Sequence, residues 1–271
     1  MGGAMSQVRT VGLVGVNGTS LHVQEAGEGP AILFIHGMCG DADVWNGQLE
    51  LLGGEFRCVA YDRRGHTRSA LGEGVERSVE LHADDAAALI EALDLAPAVI
   101  VGSSGGARIG LDVVRRHADL VRGAVLSEPP ILSLLADGGA EFREKVGPAL
   151  RPAPTPQEAV NAFFLYVDPE TWRAMPDPRR ETYRANHVEL FGDLQMPPYA
   201  PTLGDLARID VPVRLLTGDR SVPLFGEIAR AVAGAIPGAE LVVLEGATHA
   251  TYFFQPKAFA EAVRSFASAL G

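Results

Sequence analysis

Positive charge is in short supply: 23 lysines and arginines stand against 34 aspartates and glutamates, a formal net charge of −11. That sign repels a phosphate backbone, so nucleic acid is not expected as a partner. Cysteine is nearly absent, with two in 271 residues. Cys39 and Cys58 sit in or beside apolar segments without paired C-x-x-C spacing, so both read as free buried thiols, not as a disulfide framework or a metal site. No apolar run approaches the roughly 18 residues that a membrane-spanning helix requires. The N-terminal stretch MGGAMSQVRTVG lacks the basic and apolar regions of a secretory leader. These absences lead to the expectation of a cytoplasmic protein with no membrane span. Met5 offers a second natural start, which would make Met1 to Ala4 an added tail; both readings stay open.

Gly (31) and Pro (18) are frequent, yet below the level of low-complexity disorder. A chain of this length can bury the core of one large α/β domain, alone or with an inserted subdomain. Over the first 127 residues, short β-type runs alternate with amphipathic or Ala-rich stretches, the rhythm of a sheet with crossover helices. Val8 to Val16 and Thr19 to Glu25 flank Asn17-Gly18, a hairpin signal because both turn positions need positive φ. Ala31 to Ile35, Phe56 to Tyr61 and Ala98 to Val101 are nearly continuous apolar runs, as expected of strands buried on both faces. Val79 to Leu93 and Gly106 to His117 read as helices, and Val121 to Ser127 as the next strand.

The rhythm stops after Glu128-Pro129-Pro130. From about Ile131 to Asp210 there are Pro-punctuated helical pieces with scattered aromatics, too long for an ordinary loop, and a helical cap over the core is expected. Strand and helix alternate again through Val213 to Thr217, Leu224 to Ile236, Glu240 to Leu244 and Pro256 to Leu270. The expected division is a core of residues 1–130 and 207–271 with a cap of residues 131–206. Phe163, Phe164, Tyr166, Trp172 and Tyr183 fit either the packing of that cap or the wall of an apolar cleft. Arg179 and Arg180 read as solvated.

Gly102-Ser103-Ser104-Gly105-Gly106 follows a buried strand and opens a helix, a match to G-x-S-x-G with Ser104 at its centre. A serine on so sharp a strand-to-helix turn needs small neighbours two residues away on either side, so that the backbones can pass. A nucleophilic serine further needs a base, an oxyanion hole and an orienting acid. Of the seven histidines, His249 alone follows a late buried strand through a Gly-rich loop and is the expected base. The loop His36-Gly37-Met38-Cys39-Gly40 has the glycine that close approach requires. The N–H groups of Met38 and Gly105 are the expected oxyanion donors, with Gly37 beside them, and His36 shapes the loop.

Together these elements resemble the α/β-hydrolase superfamily over nearly the whole chain: His36-Gly37, the turn Asp62 to Ser69, the Ser104 elbow and His249. The resemblance implies an α/β-hydrolase fold, a mostly parallel eight-stranded sheet flanked by helices with an inserted helical cap. It also casts Asp62 to Ser69 as scaffolding. The usual acid position of the superfamily, three residues after Gly218, holds Ser221, whose hydroxyl cannot hold an imidazolium. Glu128, at the end of the strand after the nucleophile's helix, is the stronger candidate, with Asp219 as the alternative. A glutamate at this strand end with a Ser-Ser-Gly elbow looks like the zearalenone lactone hydrolases, as do the segments Thr248 to Pro256 and Pro197 to Pro201.

The implied function is a cofactor-free serine hydrolase that cleaves an ester or lactone of a hydrophobic small molecule, with no metal. Carbon–carbon bond hydrolases and perhydrolases share the same residues, and a non-catalytic ligand receptor is the alternative of another class. Candidate substrate contacts are His36, Ser103, Trp172, His187 and Tyr252.

Overall fold

In the computed structural model, which describes residues 7–150 and 155–271, eight strands form one sheet. They are β1 (Arg9–Val16), β2 (Thr19–Ala26), β3 (Ala31–Ile35), β4 (Arg57–Tyr61), β5 (Ala98–Ser103), β6 (Val121–Ser127), β7 (Val213–Gly218) and β8 (Glu240–Leu244). Met1 to Ala4 lie outside the described residues. The spatial order is β1-β2-β4-β3-β5-β6-β7-β8. β1 and β2 are antiparallel, as are β2 and β4, and every later pairing is parallel. This is the mostly parallel eight-stranded sheet that the resemblance implies, with the crossover helices expected from the strand rhythm. Asn17 and Gly18 turn the first hairpin at φ 42° and 71°, the left-handed pair that a two-residue loop demands.

The continuous apolar runs are explained by the two faces. Side chains alternate along a strand, so Leu33 and Ile35 of β3 join Ile100 of β5 in one core cluster, while Ile32 and Phe34 join Val99 and Val101 in the other. Helices Val79–Ala92, Gly105–Arg116 and Pro223–Ala235 cover the first face, and Asn46–Leu52 and Pro256–Ala269 the second. Both sides of the central strands are therefore buried, and polar alternation would place polar groups in apolar surroundings.

Between β6 and β7 the described residues form helices and no strand. Two of these helices begin with a proline behind a capping side chain: the Thr155 hydroxyl accepts from Glu158 N–H, and the Asp168 carboxylate from Thr171 N–H. Proline fits the first helical turn because its missing N–H would have no intrahelical acceptor there. Val160, Phe163, Trp172, Tyr183 and Leu190 of this segment form one apolar cluster with Cys39 and Phe225. Those two core residues follow β3 and β7, so the helical segment lies over the carboxyl ends of the strands, where βα loops gather.

Candidate active site

The turn from β5 into helix Gly105–Arg116 puts Ser104 at φ 54°, ψ −120°, a backbone state that costs energy in a non-glycine residue. Its surroundings hold it there. Ser104 N–H donates to the Ser127 carbonyl at 2.8 Å, and Ala107 and Arg108 N–H return to the Ser104 carbonyl at 2.9 and 3.1 Å. A methyl group on Gly106 would lie 2.1 Å from the Ile35 carbonyl oxygen, and one on Gly102 would lie 2.5 Å from the Gly106 oxygen. The two flanking glycines are thus required by backbone approach, as the sequence pattern predicts.

β6 ends one residue before Glu128, which turns out of the sheet at φ 49° and is fully buried. Its two carboxylate oxygens have separate tasks. Oε1 accepts from the Thr217 hydroxyl at 2.7 Å and from Gly218 N–H at 2.9 Å, fixing the group to the end of β7. Oε2 accepts from His249 Nδ1 at 2.5 Å. With the proton on Nδ1, Nε2 keeps its lone pair. The loop that carries His249 leaves β8 and passes against Gly218, where any side chain would collide with the Ala247 carbonyl.

The alternative acid is placed elsewhere. Asp219 is exposed and accepts from Gly246 N–H at 2.7 Å, so it braces the loop ahead of the histidine. Ser221 Oγ is buried without a hydrogen-bond partner among the described residues.

A cavity of about 310 Å³ lies between the strand ends and the helical segment, and Ser104, His249, Gly37, Met38, Gly105, Ser103, Trp172 and Tyr252 all line it. Gly105 opens its helix, where an N–H has no intrahelical acceptor, and Met38 N lies 3.6 Å from the point where a Gly105 side chain would begin. Two expected contacts are corrected. His36 is fully buried behind the cavity wall: Nε2 accepts from Arg63 N–H at 2.9 Å, and Nδ1 donates to the Gly37 carbonyl at 2.8 Å. Burial and the neighbouring Arg63 hold its pKa well below the usual histidine value, so the neutral ring is a wedge that shapes the loop. His187 is outside the cavity lining, and its Nδ1 donates to the Arg184 carbonyl, in the preceding helix, at 3.0 Å. Arg179, expected in solvent, donates to the buried Asp41 at 2.7 Å.

Three further residues had no signal in the sequence. Phe225 lies parallel to the imidazole, Asp168 holds the residues on either side of His249, and Arg108 brings a guanidinium to the cavity. All three depend on contacts between segments far apart in the chain.

Residues 32–262 match the model of the alpha/beta hydrolase family, and the chain belongs to that family. It is similar to an uncharacterized hydrolase, YraK, of Bacillus subtilis, at 43% identity over 125 residues, a match spanning 46% of each chain. It is also similar to the 2-(acetamidomethylene)succinate hydrolase of Mesorhizobium japonicum, at 26% identity over 94% of both chains. Among solved structures, the naproxen esterase of Bacillus subtilis superposes with a TM-score of 0.78 at 18% identity, covering 96% of this chain and 92% of that one. No helix among the described residues is long and apolar enough to cross a membrane.

Proposed function

We propose that this hydrolase is a cofactor-free serine esterase or lactonase, acting on a hydrophobic small molecule through Ser104, His249 and Glu128. The reading rests on the buried hydrogen bond between Glu128 and His249, beside a cavity that Ser104 also lines. In this scheme His249 Nε2 takes the Ser104 proton as Oγ attacks the carbonyl carbon, and Met38 and Gly105 N–H groups stabilise the oxyanion. The same histidine then protonates the leaving alkoxide and activates the water that releases the acid. Glu128 fixes the tautomer and stabilises the imidazolium in both halves.

The helices described within residues 131–150 and 155–206 act as a cap whose aromatic wall receives the apolar body of the substrate. The name of the naproxen esterase supports a carboxylic ester with an aromatic body, and the Ser-Ser-Gly elbow with Glu128 keeps aryl lactones in view. The deciding experiment is hydrolysis of p-nitrophenyl esters and aryl lactones by wild type and folded variants. Ser104→Ala is expected to lower kcat/KM by a factor on the order of 10⁴ or more, and Glu128→Gln by about 10³ to 10⁴. Asp219→Ala should stay within about twofold of wild type, as befits a surface brace. Collapse of Asp219→Ala with an active Glu128→Gln would reject the assignment of the acid, and a wild type inactive on every ester and lactone would reject the reaction class.

A further inference from the structure

Arg108 stands one turn into the helix that Ser104 opens, among Gly105, Gly106, Ala107, Ile109 and Gly110, all buried against the sheet. A long cation there is out of keeping with its neighbours. Its side chain reaches the same cavity that Ser104 and His249 line, and its Nε is shut off from solvent with no hydrogen-bond partner among the described residues.

The carboxylates that line the cavity already hold other donors, with Asp193 Oδ1 left without one among the described residues. Asp193, the carboxylate that acts most strongly on Arg108, accepts through Oδ2 from Arg63 Nη2 at 2.7 Å, a pair with both side chains fully buried. Asp168 is occupied by the hydroxyls of Thr171 and Thr248 and by the N–H groups of Thr171 and Ala250. Arg143 donates to the Gly138 carbonyl. Nearby His66 and His82 are held neutral, His82 with its pKa pushed down to about 3 by burial and by Arg63. Asp193 is thus taken by Arg63, and Arg108 has no ion-pair partner among the described residues. A buried charge without a counter-charge is strongly unfavourable, and a planar guanidinium with free donors matches a carboxylate in geometry as well as in sign.

We propose that Arg108 is a substrate-recognition residue that binds a carboxylate, so that preferred substrates are monoanionic esters or lactones joining an apolar body to a free acid group. The aromatic wall takes the body, and Arg108 fixes the acid one helical turn from Ser104. The inference rests on the reading of this cavity as the substrate site, and the following test separates the two.

Calorimetric titration with 4-phenylbutyrate and with its neutral amide, 4-phenylbutanamide, is carried out on wild type, Arg108→Gln and Arg108→Lys. Wild type is expected to bind the acid at least about tenfold more tightly than the amide. That ratio falls to about one in Arg108→Gln and survives in part in Arg108→Lys, which keeps the charge without the fork. Equal binding of acid and amide by wild type overturns the proposal without recourse to any variant, and so does a ratio that persists in folded Arg108→Gln. Neither titration needs turnover. A wild type that prefers the acid through Arg108 yet hydrolyses no ester keeps this inference and rejects the esterase reading, whereas an active esterase with no preference for the acid does the reverse.

Discussion

The ring of Phe225 lies almost parallel to the imidazole of His249, with centroids 3.9 Å apart and planes 19° from coplanar. Glu128 restrains His249 through one nitrogen, and Phe225 restrains the face of the ring, so rotation out of line is opposed by packing as well as by a hydrogen bond. Phe225→Leu keeps most of the buried volume and is expected to cost under about 1.5 kcal/mol of stability. Loss of the flat platform should lower kcat roughly tenfold through misalignment of His249, the proposed base, with a smaller change in KM. Steady-state kinetics together with urea unfolding would check the split, and an unchanged kcat would show that Glu128 alone sets the ring.

Asp168 joins the helical segment to the His249 loop. One oxygen caps helix Pro169–Ala174, and the other accepts from Ala250 N–H at 2.9 Å and from the Thr248 hydroxyl at 3.0 Å. Asp168→Ala removes a helix cap, worth about 1 kcal/mol, and strands a partly buried N–H at a further cost of about 1–3 kcal/mol. A loss of about 2–4 kcal/mol in urea unfolding is expected, with reduced kcat on esters in the variant that remains folded.

Gly106 and Gly47 give opposite forecasts for the same substitution. Gly106→Ala would press a methyl group into the Ile35 carbonyl and is expected to abolish soluble folded protein. Gly47 lies exposed in helix Asn46–Leu52 with nothing within 4 Å of the added atom. Gly47→Ala should raise stability by about 0.5–1 kcal/mol through reduced freedom of the unfolded chain. Thermal unfolding of the two variants side by side tests the account of the elbow.

Asp41 gives the fold a dependence on pH. Burial pushes its pKa up to about 6, against the opposing pull of Arg179. The folded state therefore holds a proton that the unfolded chain, at an ordinary pKa of 3.8, has released. Stability is fully present below about pH 4 and is lost as pH rises through about 6. A shift of about two pH units corresponds to about 3 kcal/mol. Urea unfolding at pH 4, 5 and 6.5 should show this decline in wild type and a flatter profile in Asp41→Asn; parallel profiles would remove Asp41 as the cause.

The sheet and its order of helices were legible because their causes are local. Asn17-Gly18 needs only its own φ angles, and β3 and β5 announce burial on both faces through uninterrupted apolar residues. Ser104 is marked by the small residues around it, and Glu128 by standing one residue beyond a strand. What failed was direction and distant partnership. His36, next to a glycine at a strand end, fits a residue facing the substrate as well as one facing away, and only the Arg63 N–H decides it. Arg179 lies in a polar helix and looks solvated until Asp41, 138 residues earlier, is folded beneath it. Phe225, Asp168 and Arg108 carry no motif at all, since each acquires its meaning from neighbours brought together by the fold.

The two cysteines, both free and buried, form a pair of internal clocks. Burial pushes the Cys58 thiol up to about 12 and raises that of Cys39 well above its ordinary value, so neither reacts with a thiol reagent until its surroundings part. Cys58 belongs to β4 in the core, whereas Cys39 packs into the cluster beneath the helical segment, and its carbonyl accepts from Asn186. Labelling at Cys58 times the opening of the sheet, and labelling at Cys39 times the lifting of the helices above the cavity. The interval between the two rates measures how independently the roof of the site breathes.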